Sequence, residues 1–412
     1  MDVFFRICAF RVYICRILRA KREIVPWLLV IWVLNPKKEV MLIAQKKTLP
    51  DKDTKVYKLL EMIGIFGEFP TALLSRLNVG KGYEEKMVSS LKRHGLIRTH
   101  YEDGRRGLRL TTIGKRFLLA ENPNRFEFFL SGYSDTNKVR CDPHRRDRLH
   151  RIAEASVTMS NAGVSIFRDE RPAIFSPSWE GGEWIRAPAF YTSREIKESG
   201  STFSKIKGAR AIGVMLTPYN IFITYNLGSS LMKWRYRAEM RNKALIQNML
   251  CLERMPKQYS PNCICAILLA DSMEFAQKIL ENKIEQYMLL DDNYENFYFV
   301  TNDERGEMLL RLLCHPDLCT ELDEILTGDL CYADPGALIE NDAMTEDGRP
   351  VILAYKCNLN RIQKFDTSLK LQNKRGVIIC FDYQAEVLRR YCSEAVEFQT
   401  LDYKKTERRF FS

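Results

Sequence analysis

The chain has 412 residues, of which 46% are hydrophobic and 28% charged, and it carries a formal net charge of +11. That balance excludes a disordered chain, because it supplies ample apolar material for a core, and the length exceeds what one core usually organises. The cationic excess favours a polyanionic partner, and the position of the charge must decide between nucleic acid and an anionic surface.

The first 51 residues are an atypical extension. Arg6, Arg11, Arg16, Arg19 and Arg22 interrupt apolar residues, and a single apolar run follows from Ile24 to Leu34. That run is about half of the ~20 residues a membrane-spanning helix needs, and Pro26 lies within it. No small-residue cleavage site follows. Two readings remain: a peripheral amphipathic anchor, or sequence preceding a native start at Met41, which is preferred because the segment shows no clear helical periodicity. No membrane partner is expected.

From Lys52 the pattern is legible. "TKVYKLLEMIGIFGEFP" places Val56, Leu59, Leu60 and Ile63 at helical spacing, "TALLSRL" is a second short helix, and Tyr83 to His94 is a third. The third helix sets Tyr83, Met87, Val88 and Leu91 on one face and Lys86, Ser89, Ser90, Lys92 and Arg93 largely on the other. "LIRTHY" and "LRL" then alternate with period two and pair as a hairpin across Glu102 to Gly107. "TTIGKRFLLAE" returns to helix, with Thr111 or Thr112 as N-cap. Three helices, a hairpin and a helix form a winged helix-turn-helix over 52–121, in which the third helix enters the major groove and the hairpin reaches phosphates or the minor groove. Lys81 to Arg116 holds ten basic and four acidic residues, more than half of the chain's whole excess charge. The expected DNA contacts are Lys81, Lys86, Ser89, Lys92 and Arg93 on the groove helix and Arg105, Arg106 and Arg109 on the wing, with double-stranded DNA as partner. A wing used to dock protein is the alternative.

Residues 122–151 read as a linker entering a helix, with a basic knot of Lys138, Arg140, Arg145, Arg146, Arg148 and Arg151 that either extends a DNA footprint or is simply solvated. Beyond, strand-like runs ("VSIF", "PAFYTS", "AIGVMLT", "IFITYN", "CICAILLA", "FYFV", "VILAY", "GVIICF", "VEFQTL") are separated by helical stretches at 231–251, 272–286, 305–314 and 383–391. Runs apolar throughout are strands covered on both faces, so 152–412 is expected to be a larger three-layer α/β domain, with a further division near Pro256 left open. The overall class is therefore α+β or α/β. Between Ala333 and Pro350 lies a long acidic loop.

Catalytic signatures are sparse. Glu195-Ile196-Lys197 matches the E-x-K half of the restriction-type nuclease signature, which needs a second carboxylate to hold magnesium. Asp169, Glu180 and Glu183 are the acids near enough in sequence, none at a convincing strand end. A degenerate nuclease-like or an unrelated α/β scaffold, with Glu195 and Lys197 facing solvent and worth only about half a kcal/mol each, is the expectation. Cys263-Ile264-Cys265 reads as core thiols, and Cys314-His315 with Cys319 lacks a second ligand pair, so neither metal nor other cofactor is called. "SSLMKWRYRAEMRNKAL" reads as an amphipathic helix with Leu231, Trp234 and Met240 inward, rather than a surface for stacking single strands.

The run "LKRHGLIRTHYEDGRRGLRLTTIGKRFL" resembles many bacterial winged-helix proteins, which implies a fold and little more. With "HRRDRLHRIAEASVTMSNAG", "APAFYTSREIK", "GARAIGVMLTPYNIFITYN" and "MKWRYRAEMRNKALIQNML", the stretch from Lys52 to Cys251 resembles the replication-relaxation family of plasmids and integrative conjugative elements. The resemblance implies a DNA-associated role in the replication or transfer of a mobile element, with replication or conjugation proteins as further partners, while the twelve scattered cysteines lead to the expectation of a reducing cytoplasm. It supplies no catalytic motif.

Overall fold

Why the segment 55–130 folds as it does follows from its apolar spacing. In the computed structural model, which describes residues 50–199, 208–290, 293–333 and 336–411, helix α1 (Lys55–Phe66) is buried along nearly its whole length from Tyr57 onward. The strand pair Phe69–Pro70 (β1) and the 3-10 turn Thr71–Leu77 lead to α2 (Lys81–Arg93). Met87 and Leu91 of α2 are buried, whereas Tyr83, expected on the same face, is exposed because it sits in the first turn beyond the packed surface.

Strands β2 (Ile97–Glu102) and β3 (Arg105–Leu110) follow, and β3 pairs antiparallel with both β1 and β2. The hairpin is tighter than its sequence implied. Glu102 pairs directly with Arg105, so the turn is only Asp103-Gly104, both at positive φ, 51° and 73°. An Asp-Gly pair is what a two-residue turn of this hand demands. Of the two threonines, Thr111 caps α3 (Thr112–Glu121), its hydroxyl accepting from the Gly114 amide at 3.1 Å.

The expected linker holds a helix instead. Asn122 caps α4 (Pro123–Leu130), which has proline in its first turn and buries Phe126, Phe129 and Leu130. Asp142 caps α5 (Pro143–Asn161), accepting from the Arg145 amide at 3.1 Å, again with proline at the first position.

The remaining strands form two five-stranded sheets, giving a mixed α and β molecule with three sheets among the described residues. In the first, β4 (Ala189–Thr192), β5 (Gly213–Leu216) and β6 (Ile221–Gly228) are antiparallel neighbours, and β6, β7 (Ile264–Ala270) and β8 (Phe297–Thr301) run parallel. Helices α6 (Ser193–Glu198), α7 (Tyr236–Gln247), α8 (Glu274–Leu280), α9 (Glu304–Cys314) and α10 (Pro316–Thr327) lie along this stretch. In the second sheet the order is β13-β12-β11-β10-β9, where β9 is Cys331–Tyr332, β10 Ala343–Met344, β11 Pro350–Leu353, β12 Gly376–Phe381 and β13 Val396–Leu401. Its parallel strands are linked by α11 (Leu359–Gln372) and α12 (Asp382–Tyr391), and α13 (Tyr403–Phe411) ends the described chain. Every residue of β7 and β12 is buried, as their uninterrupted apolar sequences require. Strand β8 is joined to the segment between β11 and α11, where the Phe299 amide donates to the Cys357 carbonyl at 2.9 Å.

Several expected elements differ. "VSIF" contributes a single bridge, Ser165 to Ala189, and the helix expected at 272–286 shortens to α8. Helix α7 begins only at Tyr236 and continues as a π-helical turn, Asn248–Arg254; Trp234 is buried before it, but Met240 points outward, 44% exposed. Contacts divide the chain into Met1–Thr54 and Lys55–Ser412. The readings of the apolar run and of a start at Met41 fall outside the described residues. Among those described, no helix is long and apolar enough to cross a membrane.

Candidate nucleic-acid interface

On α2, Lys86, Ser89, Lys92 and Arg93 are all exposed, at positions that share a helical stripe opposite Met87 and Leu91. None of the three cations has an ion-pair partner among the described residues. Lys81 opens the helix, and its side chain lies outside the described residues.

The residues expected on a wing separate into three kinds. Arg106 is exposed, and only its backbone carbonyl is used, accepting from the Thr71 hydroxyl at 3.3 Å. Arg105 is turned back onto α5: its guanidinium grips Asp147 with two donors, Nη2 lying 2.9 Å from Oδ2. Arg109, expected on the DNA, is inside the protein at 5% exposure and donates through Nε to Glu68 Oε2 at 2.7 Å. It belongs to the internal framework, because residues of β3 that face α5 point away from solvent.

Glu68 is the centre of that framework. Its carboxylate is fully buried and also accepts from Arg146 Nη2 at 2.7 Å and faces His150 Nε2 at 2.8 Å. Burial opposes its ionisation, but the hydrogen bonds from His150, Arg146 and Arg109 win and hold its carboxyl well below the usual range. Arg146 then reaches the hairpin itself, donating from Nη1 to the Glu102 carbonyl at 2.9 Å and from Nη2 to the Arg105 carbonyl at 3.0 Å. Gly107 makes room for this cluster, since a Cβ there would lie 2.4 Å from Glu68 Oε1.

The basic knot is therefore neither a uniform footprint nor a solvated face. Lys138, Arg140 and Arg145 are exposed, Arg146 is fully buried, and Arg148 and Arg151 line a cavity of about 1040 Å³. Arg210, Lys233 and Lys278 line the same cavity, near the carboxyl end of β6 and the start of α8. None of these five cations has an ion-pair partner among the described residues, and the one acid in the lining, Asp147, is already taken by Arg105. Arg148 Nη2 donates only to neutral oxygens, Ser193 Oγ at 2.8 Å and the Ala211 carbonyl at 3.2 Å. A concave surface rich in unpaired cations, at the carboxyl ends of parallel strands, is suited to anionic groups such as phosphates.

Glu195 does not face solvent. It is the third residue of α6, 2% exposed, and both carboxylate oxygens are occupied: Oε1 by Arg171 Nη2 at 2.7 Å, Oε2 by the Thr192 amide and hydroxyl at 2.9 Å each. This capping box and buried pair are structural. Lys197 is exposed, as expected, and lines a separate small cavity with Arg145, Arg148 and Asp135. Asp169 is bound by Asn122 and Arg125, and Glu180 and Glu183 are exposed on irregular chain. Glu195→Ala strands Arg171 in the interior, so it is expected to cost about 3 kcal/mol in urea unfolding, not the half kcal/mol of a solvated site.

Cys314 and Cys319 are buried, the first against Met215 and the second donating to the Leu312 carbonyl at 3.2 Å, while His315 is exposed, so they do not gather as ligands. No protein family, curated protein or solved structure matches the chain.

Proposed function

We propose that this protein binds double-stranded DNA through a winged helix-turn-helix formed by α1 to α3 and the β2–β3 hairpin, with the following α/β part carrying a second, cationic surface. The observation that carries the reading is the stripe Lys86, Ser89, Lys92 and Arg93: one exposed helix face whose cations are unengaged, opposite a face that is buried. A helix so placed presents its side chains to base edges and flanking phosphates. Arg106 supplies the free charge of the wing, and Arg148, Arg151, Arg210, Lys233 and Lys278 extend the positive surface beyond it. The resemblance to replication-relaxation proteins belongs to the same reading, which assigns the protein to the replication or transfer of a mobile element. The occupied carboxylate of Glu195 gives a metal-dependent nuclease no support at that position.

The test is a fluorescence-anisotropy titration of the full chain against a random-sequence duplex at several salt concentrations. Binding with a linear log–log decline, about 0.9 in slope per phosphate neutralised, is expected. No binding at low salt sinks the proposal and leaves protein docking as the use of this face.

A further inference from the structure

Outside the surface just described, three side chains of different chemistry converge where the hairpin meets the start of α5. His100 and Glu102 are two apart on β2, so they project from the same face of the strand. Their partner comes from the other side: Cys141 immediately precedes Asp142, the N-cap of α5, and its thiol is free and exposed. His100 Nε2 lies 3.1 Å from Glu102 Oε2 and 3.8 Å from Cys141 Sγ, and one ligand atom from each residue falls within 4.8 Å of the others.

Those separations can be compared with what a metal demands. Zinc binds histidine nitrogen and carboxylate oxygen at about 2.0 Å and thiolate sulfur at about 2.3 Å, so tetrahedral angles place N and O about 3.3 Å apart and N and S about 3.5 Å apart. The observed edges lie within a few tenths of an ångström of both. The donor set is also the right kind, since thiolate, imidazole and carboxylate together suit zinc rather than calcium or magnesium. The two carriers are fixed: Arg146 holds the Glu102 carbonyl, and Asp142 caps the helix beside Cys141.

We propose that His100, Glu102 and Cys141 form a zinc site, with water in the fourth position, that clips the hairpin to the amino end of α5. Binding takes His100 as the tautomer with its proton on Nδ1 and releases the Cys141 thiol proton to solvent. The site stands independently of DNA binding.

Cobalt(II), which takes zinc sites and reports their ligands by colour, is the probe. The full chain, reduced and stripped with a chelator, is titrated with cobalt and then with zinc. The expected result is a near-ultraviolet thiolate-to-cobalt charge-transfer band with tetrahedral visible bands, abolished by one equivalent of zinc. Both should be lost in Cys141→Ser and in His100→Ala, with zinc affinity falling by more than the roughly 10–100-fold that loss of an outer partner costs. Urea midpoints of the stripped variants should match the parent, since Cys141 is exposed and His100 only half-buried. Absence of the band in the parent, or its persistence at full strength in either variant, overturns the proposal.

Discussion

Replacing Glu68 with alanine is expected to destabilise the fold by about 5 kcal/mol, at the upper end of what breaking a buried ion pair costs. The reason is that one carboxylate serves two buried arginines. Arg109 and Arg146 are both inside the protein, and Glu68 is the carboxylate bonded to each. Removing it leaves two cations in the interior, each losing a charge-assisted hydrogen bond. Arg146 also holds two hairpin carbonyls, so the damage should spread to β2 and β3, read as accelerated amide exchange there before the rest of the chain. Glu68→Gln, which keeps the shape and some hydrogen bonds, should cost less.

The same residue predicts an acid limb. Its folded pKa is depressed, so its contribution is present above the unfolded value of about 4.3 and is lost as pH falls through the lower folded value. The parent should therefore lose stability below about pH 4 more steeply than Glu68→Gln. Equal slopes for the two proteins in urea unfolding across that range would show that Glu68 is not the group that titrates.

The second large effect concerns the α2 face. Changing Lys86, Lys92 and Arg93 together to alanine is expected to weaken duplex binding by about one to two orders of magnitude and to lower the log–log salt slope by about 3, near one unit per lost phosphate contact. Because all three are exposed and unpaired among the described residues, the unfolding midpoint should barely move. Ser89 substitution should instead shift sequence preference, the behaviour of a side chain near base edges. At the hairpin, Arg106→Ala should lower the slope by about one unit, whereas Arg105, bound to Asp147, should add little. A triple variant with the parent's affinity and slope would remove α2 from the interface.

How much of this was legible in the sequence depends on the range of the interaction. The α2 stripe, the Thr111 cap and the strands β7 and β12 rest on periodicity or on neighbours a few residues away, and those signals are local. The burial of Arg109 and Arg146 was not readable, because their shared partner is 41 and 78 residues distant. A lone arginine in sequence is a charge, and only the fold says whether water or a carboxylate answers it. Glu195 misled for the same reason, its partner Arg171 lying 24 residues earlier. Two turns of α4 carry Phe126, Phe129 and Leu130 at helical spacing, a signal too brief to stand out from a linker. His100 and Cys141, 41 residues apart, meet only once the hairpin is laid on α5.

Helix α5 acts as a ruler. At 19 residues it spans roughly 28 Å without a break. Its first turns hold Glu68 and the hairpin, while at its far end the Asn161 amide donates to the Arg76 carbonyl and to Glu307 of α9, each at 2.8 Å. A rod fastened at both ends permits no swivel between the hairpin and the sheet bearing α9. The spacing between the hairpin and α9 is therefore set by the length of a single helix.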